Sequence, residues 1–222
     1  AEVCAQLIEQ HGQGGACAED EPGLQYENGF LFADGQEAFV VETCGVHGWA
    51  MERVAPGQFR NISNAASIGQ DIFAIKFGLQ DFFERRSFWD PADGALDWTV
   101  ALRGGKKKTA FMDQSQGRKK AGEKHLTALA QDLKEGRVAC GDLKTLAERF
   151  MAALRDEDAG ICMRELDSFA STGSQVSLIP PRPEDAPSAQ HLFTCAPDPK
   201  NTAYKRFSFP SAAGAPADAA AS

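Results

Sequence analysis

The first ten residues carry apolar side chains at a helical spacing. The stripe consists of Val3, Cys4, Leu7 and Ile8. The glycine-rich stretch 12–15 follows and is predicted to end the helix. Because no N-cap residue precedes the stripe, we expect the chain to open inside a segment that begins earlier.

The period then changes to that of β-strands. Short apolar runs at 30–33 and 39–41 lie on either side of Asp34-Gly35, a dipeptide typical of hairpin turns. Two more strands are predicted at 49–54 and 59–63, joined by a Pro-Gly turn. Successive hairpins of this kind build an antiparallel sheet.

Residues 79–155 are predicted to be mainly helical. The clearest helix covers 142–155, where Asp142 is placed to cap the first turn. Its apolar positions are Leu143, Leu146, Ala147, Phe150, Met151 and Leu154. A second helix is predicted at 119–134, and residues 80–103 are predicted to form two short helices that pack on the sheet. The inward positions of the second helix are Leu126, Leu129 and Leu133.

Strand character returns towards the end of the chain, at 175–179, 191–195 and 204–209. The final stretch, 211–222, is rich in Ala and Pro and is predicted to be disordered. Strands, helices and strands in this order predict an α+β fold, with helices packed against antiparallel sheet. We assign 1–210 to one domain portion and 211–222 to a tail.

Charge and composition narrow the classes of function. The 222 residues include 23 Lys and Arg against 31 Asp and Glu, a net charge of −8, which disfavours nucleic acid and anionic membranes as partners. No apolar run approaches the ~20 residues that span a bilayer, so no membrane insertion is expected. The first residues do not form a signal peptide, so a cytoplasmic location is expected. Basic residues cluster between 103 and 124 and are interpreted as a solvated loop and helix face.

Candidate metal ligands and thiol nucleophiles are sparse. The six cysteines are scattered singly, so we expect them to be reduced, and Cys4 and Cys44 belong to apolar elements where thiols are inert. Cys44 and His47 have no further ligand nearby, and no C-x-x-C or H-E-x-x-H motif is present. We expect no metal and no other cofactor. The stretch 12–15 lacks the Lys-Ser/Thr of a phosphate loop, which favours a helix stop over backbone amides that approach a substrate.

The stretch Arg60-Asn61-Ile62-Ser63-Asn64 has two interpretations. Asn side chains at the end of a strand commonly cap turns. Alternatively, the Asn64 side-chain amide donates to an oxyanion that develops during amide hydrolysis, a contact typically worth ~3–4 kcal/mol. The residue pattern by itself favours turn capping.

The same stretch, followed by Ser67-Ile68, resembles the secernin family. Other stretches resemble that family in the same order and spacing, and together they extend over nearly the whole chain except the tail. They are QHGQGG (10–15), YENGFLFAD (26–34), EAFVVET (37–43), LRDEDAGICM (154–163), VSLIP (176–180) and PDPKNTAYKRFSF (197–209).

Secernins are similar to the dipeptidase family of cysteine exopeptidases, within the N-terminal-nucleophile hydrolases. The resemblance implies an αββα four-layer sandwich. It also implies that an N-terminal Cys attacks the amide carbonyl of a short peptide while its own α-amino group acts as the base. On this resemblance Asn64 is the oxyanion-hole amide, and Arg60 and Asn61 are neighbours that contact substrate. Glu42, at the end of EAFVVET, is expected to belong to the substrate-binding site and orient its groups, with a structural ion pair as the alternative.

The chain departs from the family in ways that affect its expected activity. Family members carry the nucleophilic Cys in a segment that precedes all the stretches named above, so we expect a C-terminal part with an incomplete sandwich and no nucleophile. The stretch 86–90 only partly matches the family's GWWD, and 171–175 differs from its usual Thr-Thr-Ala-Ser-Met. Some secernins are linked to regulated exocytosis, so a non-catalytic role there is the alternative function. A homo-oligomer is a further partner that the sequence leaves open.

Overall fold

A computed structural model of the chain describes residues 1–17, 19–20, 22–23, 25, 27–63, 65–105, 113–164, 170–180 and 189–207. These residues form five α-helices and seven β-strands, arranged as two antiparallel sheets. The α+β class predicted from the sequence is therefore confirmed. The chain divides into two compact units, Ala1–Lys119 and Lys120–Ser222. The predicted boundary at 210 stays a prediction, and the tail 211–222 lies outside the described residues.

The first unit contains helix α1 (Glu2–His11) and a four-stranded sheet of order β1-β2-β3-β4. Its strands are β1 (Gly29–Ala33), β2 (Ala38–Cys44), β3 (Gly48–Val54) and β4 (Ala74–Ile75). The Asp34 carboxylate accepts hydrogen bonds from the backbone N–H groups of Gln36 (2.7 Å) and Glu37 (3.0 Å). These bonds fix the β1–β2 turn where the Asp-Gly pair predicts it.

Two short helices, α2 (Leu79–Arg85) and α3 (Trp98–Leu102), pack on this sheet as the sequence predicts. The core on their side consists of Val40, Ala50, Ile68, Phe83, Leu96, Trp98 and Ala101. Trp98 and Phe83 are at most 1% exposed. Burying a large apolar side chain typically contributes ~1.5–3 kcal/mol, so these two rings are major contributors to the stability of this unit.

The opposite face of the sheet packs against α1. That core consists of Ala5, Ile8, Val41 and Met51. The apolar stripe predicted for α1 is therefore only partly the buried face, because Val3 is 67% exposed and Leu7 is 51% exposed. The small Ala5 side chain, 3% exposed, lets the helix approach the sheet closely on a face that the stripe did not include.

The strand predicted at 59–63 is wrong. None of the described backbone hydrogen bonds joins this segment to a strand, and β4, which pairs with β3, is the fourth strand instead. The reason lies in two side chains: the Arg60 guanidinium pairs with Glu52, and the Asn61 amide donates to the Lys119 carbonyl at 2.7 Å. These tertiary contacts hold the segment in an irregular conformation and outweigh its strand-like composition.

The second unit contains most of helix α4 (Asp113–Lys134), helix α5 (Leu143–Leu154) and a three-stranded sheet of order β5-β6-β7. Its strands are β5 (Gln175–Leu178), β6 (Gln190–Thr194) and β7 (Tyr204–Phe207), which confirms the three predicted there. Helix α5 packs against β5, and its predicted cap Asp142 accepts the Thr145 N–H at 3.1 Å. In α4, Leu129 is buried, while Leu126 and Leu133 are half-buried.

Arg155 ties the end of α5 to the segment before β7. Its guanidinium donates to the backbone carbonyls of Pro199 (2.9 Å) and Thr202 (2.7 Å). It also lies 4.8 Å from the centre of the Tyr204 ring, within the range of a cation–π contact. Two of the stretches that resemble secernins, 154–163 and 197–209, are therefore held together by one side chain.

Candidate functional site

Two glutamates are buried on the same face of the first sheet. The β2–β3 register pairs Glu42 with Ala50 and Val40 with Glu52, so both carboxylates project from one face. Each glutamate is only 3% exposed. Glu42 was expected from the sequence, whereas Glu52 was missed. The available signal was the alternation within β3, which places Glu52 on the same face as the buried Ala50.

The Glu42 carboxylate accepts hydrogen bonds from three residues of the same unit. Ser67 donates its backbone N–H (2.6 Å) and its hydroxyl (2.8 Å) to one oxygen. The Trp98 indole N–H donates to the other oxygen at 2.9 Å, and the Ile68 N–H lies 3.5 Å from that oxygen. Among the ion pairs of the described residues, none involves Glu42. Oriented N–H and O–H groups therefore stabilise this buried charge, and the charge in turn fixes the backbone at 67–68.

Arg60 neutralises the second buried glutamate. Its guanidinium pairs with the Glu52 carboxylate, and its other terminal nitrogen donates to the Ser67 carbonyl at 3.3 Å. The Arg60 side chain is 20% exposed, and its Nε is buried without a hydrogen-bond partner among the described residues. A buried charge is tolerated when it is paired, so Arg60 accounts for the glutamate inside β3.

Further hydrogen bonds hold the same stretch from other directions. Lys119, whose carbonyl accepts from Asn61 at 2.7 Å, also donates its ammonium to the Ala66 carbonyl at 3.3 Å. The Thr99 hydroxyl donates to the Ile68 carbonyl at 2.7 Å. We call residues 60–63 and 65–69 the anchored loop.

Three of the four predicted site residues meet at the anchored loop. Glu42 and Arg60 both contact Ser67, and Asn61 fastens the beginning of the loop to Lys119. The fourth, Asn64, the predicted oxyanion donor, lies outside the described residues. Sequence reasoning also missed Ser67 and Trp98 as partners of Glu42, because they are 25 and 56 residues away along the chain.

The two cysteines nearest the first sheet are poor nucleophiles. Burial, followed by the nearby Glu27 carboxylate, raises the pKa of the Cys44 thiol to about 11. Burial also raises the pKa of Cys4, and the positive N-terminus only partly offsets this. Since the thiolate is the attacking form, neither thiol is activated at neutral pH, as the sequence predicts. All six cysteines lie within the described residues, and they are free thiols.

Three of the four histidines have hydrogen-bond partners among the described residues. His47 Nδ1 lies 3.2 Å from the Ile8 carbonyl, His125 Nε2 lies 2.8 Å from the Asp156 carboxylate, and His191 Nδ1 lies 2.9 Å from the Ser177 hydroxyl. In the part of the chain that the structure describes, no group of three or more His, Cys, Asp or Glu side chains could hold a metal ion.

The glycine-rich stretch is a helix end, as the sequence favours. Gly12 has φ 77°, and its N–H donates to the Ile8 carbonyl at 2.9 Å. A Cβ at this position would lie 2.7 Å from the Val46 Cγ1, so a side chain here would be strained by the positive φ and would require Val46 to shift.

A second polar cluster joins three of the stretches that resemble secernins. The Glu27 carboxylate accepts from the Thr43 hydroxyl (2.9 Å) and from the Gly45 N–H (2.8 Å). The Asn28 side chain donates to the Gln13 side-chain oxygen at 2.5 Å. These residues hold the start of β1 against the end of β2, so their role in this structure is structural.

No described helix combines the length and the apolar character needed to cross a membrane.

Comparison with known proteins identifies no family for this chain. No protein-family model matches the chain, and no solved structure matches it.

Proposed function

We propose that this chain is the C-terminal part of a secernin-like cysteine-type exopeptidase, of the dipeptidase kind, that hydrolyses short peptides. The anchored loop is the observation that supports this function most directly. Glu42, Arg60 and Asn61 hold from several directions the one stretch whose resemblance to the family includes a candidate oxyanion donor. Oxyanion donors accelerate a reaction when they are oriented before charge develops, so a rigidly held loop suits that role.

In this proposal the residues divide into one catalytic group and several positioning groups. Asn64 donates to the oxyanion, while Glu42, Arg60 and Asn61 fix the loop that carries it. The resemblance to secernins implies that the nucleophile is a Cys from a segment that precedes Ala1, and neither Cys4 nor Cys44 is activated to take that role. The thiolate of that preceding Cys attacks the carbonyl carbon, its α-amino group takes the thiol proton and delivers it to the leaving amine, and water then releases the acyl group. In the same proposal, the whole protein forms an αββα sandwich and is located in the cytoplasm.

The test is Asn64→Ala in the protein together with any segment that precedes Ala1. We expect kcat for short peptides to fall by ~10²–10³ while KM changes little. Asn201→Ala is the matched control, because Asn201 is an exposed turn residue that donates to the Asp198 carboxylate at 2.7 Å. An unchanged kcat in Asn64→Ala would instead support the interpretation that the Asn64 side chain caps a turn. A wild-type protein that hydrolyses no peptide would favour the non-catalytic role in regulated exocytosis.

A further inference from the structure

A serine and a histidine meet on one face of the second sheet. The β5–β6 register places Ser177 directly opposite His191. The Thr194 N–H donates to the Ser174 carbonyl at 3.0 Å, and bonded pairs recur at every second residue from there, so Ser177 and His191 form a non-hydrogen-bonded pair. Side chains approach each other most closely in such pairs. The Ser177 Oγ accordingly lies 2.9 Å from the His191 Nδ1.

A third side chain determines the direction of this hydrogen bond. Gln175 lies two residues earlier on the same face and donates its NH₂ group to the Ser177 Oγ at 2.8 Å. An amide NH₂ group is a donor only, so it does not accept the hydroxyl hydrogen. Among the described residues, the acceptor within reach of that hydrogen is the His191 Nδ1. Ser177 therefore donates to an imidazole lone pair, which is the arrangement of a nucleophile with its general base.

The backbone of Ser177 supplies a further element of acyl-transfer chemistry. Strand β5 lies at one end of the described order β5-β6-β7, and a residue of a non-hydrogen-bonded pair directs its N–H away from the neighbouring strand. The Ser177 N–H has no hydrogen-bond partner among the described residues. In acyl transfer, the N–H of the nucleophilic residue itself can donate to the oxyanion that forms on the attacked carbonyl. Ser177 thus offers both a nucleophile and a donor for the developing charge.

Aromatic rings flank the pair on the same face of the sheet. Phe207 of β7 lies opposite His191, and Phe193 of β6 has its ring centre 6.3 Å from that of the imidazole. Phe193 is 36% exposed and Phe207 is 49% exposed, whereas Ser177 and His191 are half-buried. Apolar surface beside a nucleophile favours an uncharged acyl group of a few carbon atoms.

We propose that Ser177 and His191 form a serine-type acyl-transfer site that hydrolyses small uncharged esters. The His191 Nδ1 takes the hydroxyl proton while the Ser177 Oγ attacks the ester carbonyl carbon, and the imidazolium then protonates the alkoxide that leaves. Water next attacks the acyl-serine, the same nitrogen takes its proton and returns it to the Ser177 Oγ, and the carboxylic acid is released. This activity requires neither Asn64 nor a cysteine, so it is independent of the proposed function.

The competing role of the pair is purely structural. A Ser–His hydrogen bond that only joins β5 to β6 would leave the Ser177 hydroxyl no more reactive than that of another serine. Ser174, immediately before β5, provides the comparison. Its hydroxyl lies 2.5 Å from the Tyr204 hydroxyl and has no imidazole partner among the described residues.

The test is reaction of the full chain with a fluorophosphonate, which phosphonylates a base-activated serine and releases fluoride. Intact mass should show one adduct per chain, and peptide mapping should place it on Ser177. Ser177→Ala should abolish the adduct, and His191→Gln should slow its formation at least ~100-fold, because a general base typically contributes ~10²–10⁴-fold. Ser174→Ala is the matched control and should change the rate by less than about threefold, because it leaves the general base in place.

Hydrolysis of p-nitrophenyl butyrate tests the activity itself. The wild type should release p-nitrophenol, and an acid quench should trap one butyryl group on Ser177. Prior phosphonylation and Ser177→Ala should each lower the rate at least ~10-fold, since both remove the nucleophile. Thermal unfolding checks that the variants fold, and the position of the adducts in the wild type decides the question if His191→Gln does not fold.

Several results would overturn the proposal and leave the pair its structural role. They are the absence of an adduct on Ser177 at millimolar reagent, an equal rate of labelling at Ser174, and a rate that His191→Gln does not change. Transfer of the butyryl group to His191 instead of Ser177 would overturn it as well.

This proposal and the proposed function fail separately. Peptide hydrolysis without an adduct on Ser177 would leave the proposed function in place and overturn the ester-hydrolysing site. Ester hydrolysis through Ser177 in a protein that hydrolyses no short peptide would support the site and count against the proposed function.

Discussion

The buried carboxylate of Glu42 gives the most direct test of how the site is held. Glu42→Gln keeps the shape of the side chain but turns one carboxylate oxygen into an NH₂ group. Every neighbour that contacts this group donates: Ser67 through its N–H and hydroxyl, and Trp98 through its indole N–H. In either orientation, the new NH₂ group therefore faces donors in a residue that is 3% exposed.

The expected loss of stability in Glu42→Gln follows from counting the hydrogen bonds that change. A hydrogen bond to a charged acceptor contributes ~1.5–3 kcal/mol, and an unsatisfied buried donor costs ~1–3 kcal/mol. If the amide oxygen keeps Ser67, the Trp98 bond is lost and its indole N–H is left unpaired. Removing a buried charge offsets part of this loss. We expect the free energy of unfolding to fall by roughly 2–4 kcal/mol.

Urea denaturation followed by circular dichroism measures this change. Glu37→Gln on the same hairpin is the matched control, because the Glu37 side chain is 43% exposed and pairs with the exposed Arg53. Exposed ion pairs contribute ~0–1 kcal/mol, so the control should change little. A cycle with Trp98→Phe should show coupling above ~0.5 kcal/mol. If Glu42→Gln were no more destabilising than Glu37→Gln, the carboxylate would not be holding the loop.

Three further outcomes follow from individual contacts. With a pKa of about 11, the Cys44 thiol should react with iodoacetamide at pH 8 on the order of 10²-fold more slowly than a free thiol of pKa ~8.5, as timed mass spectrometry would show. The hydrogen bond from His125 lowers the pKa of Asp156 in the folded protein. The stability that this hydrogen bond contributes is fully present above the unfolded-state pKa of ~3.9 and is lost as the pH falls through the folded-state pKa of Asp156. Urea titrations below about pH 4 should therefore show a steeper loss in the wild type than in Asp156→Asn. Arg155→Met removes two hydrogen bonds and a cation–π contact, so the free energy of unfolding should fall by about 2 kcal/mol, as measured by thermal unfolding. The control Arg206→Met changes an exposed arginine and should lower it by less than ~0.5 kcal/mol.

Local signals in the sequence predicted local structure well. Asp34 and Asp142 act where they were expected because a carboxylate that accepts nearby backbone N–H groups needs only its immediate neighbours. The apolar stripe of α1 predicted the helix but only part of its buried face, because Ala5 contributes close approach rather than apolar bulk. The strand expected at 59–63 failed for a different reason, since its conformation is set by partners distant along the chain.

The candidate site also depends on contacts between residues that are distant along the chain, which the sequence does not reveal. Glu42, Arg60 and Asn61 were selected because they fall in stretches that resemble a known family, and the structure brings them to one loop. Glu52 and Trp98 were not selected. The alternation within β3 places Glu52 on the buried face, but its pairing with Arg60 is seen only in the structure. An indole that supports a carboxylate 56 residues away leaves no periodic signal. Sequence patterns thus locate the elements, whereas side-chain partnerships across the fold require coordinates.

Helix α4 runs from Asp113 to Lys134, and the division between the two compact units falls inside it, between Lys119 and Lys120. Most domain boundaries lie in exposed linkers, where proteases cleave readily and where genes tolerate insertions. A peptide bond inside a helix is protected by its hydrogen bonds, so cleavage at this point requires that the helix open first. Proteolysis between Lys119 and Lys120 is therefore expected to be slow compared with cleavage in an exposed linker, because α4 must first unfold locally.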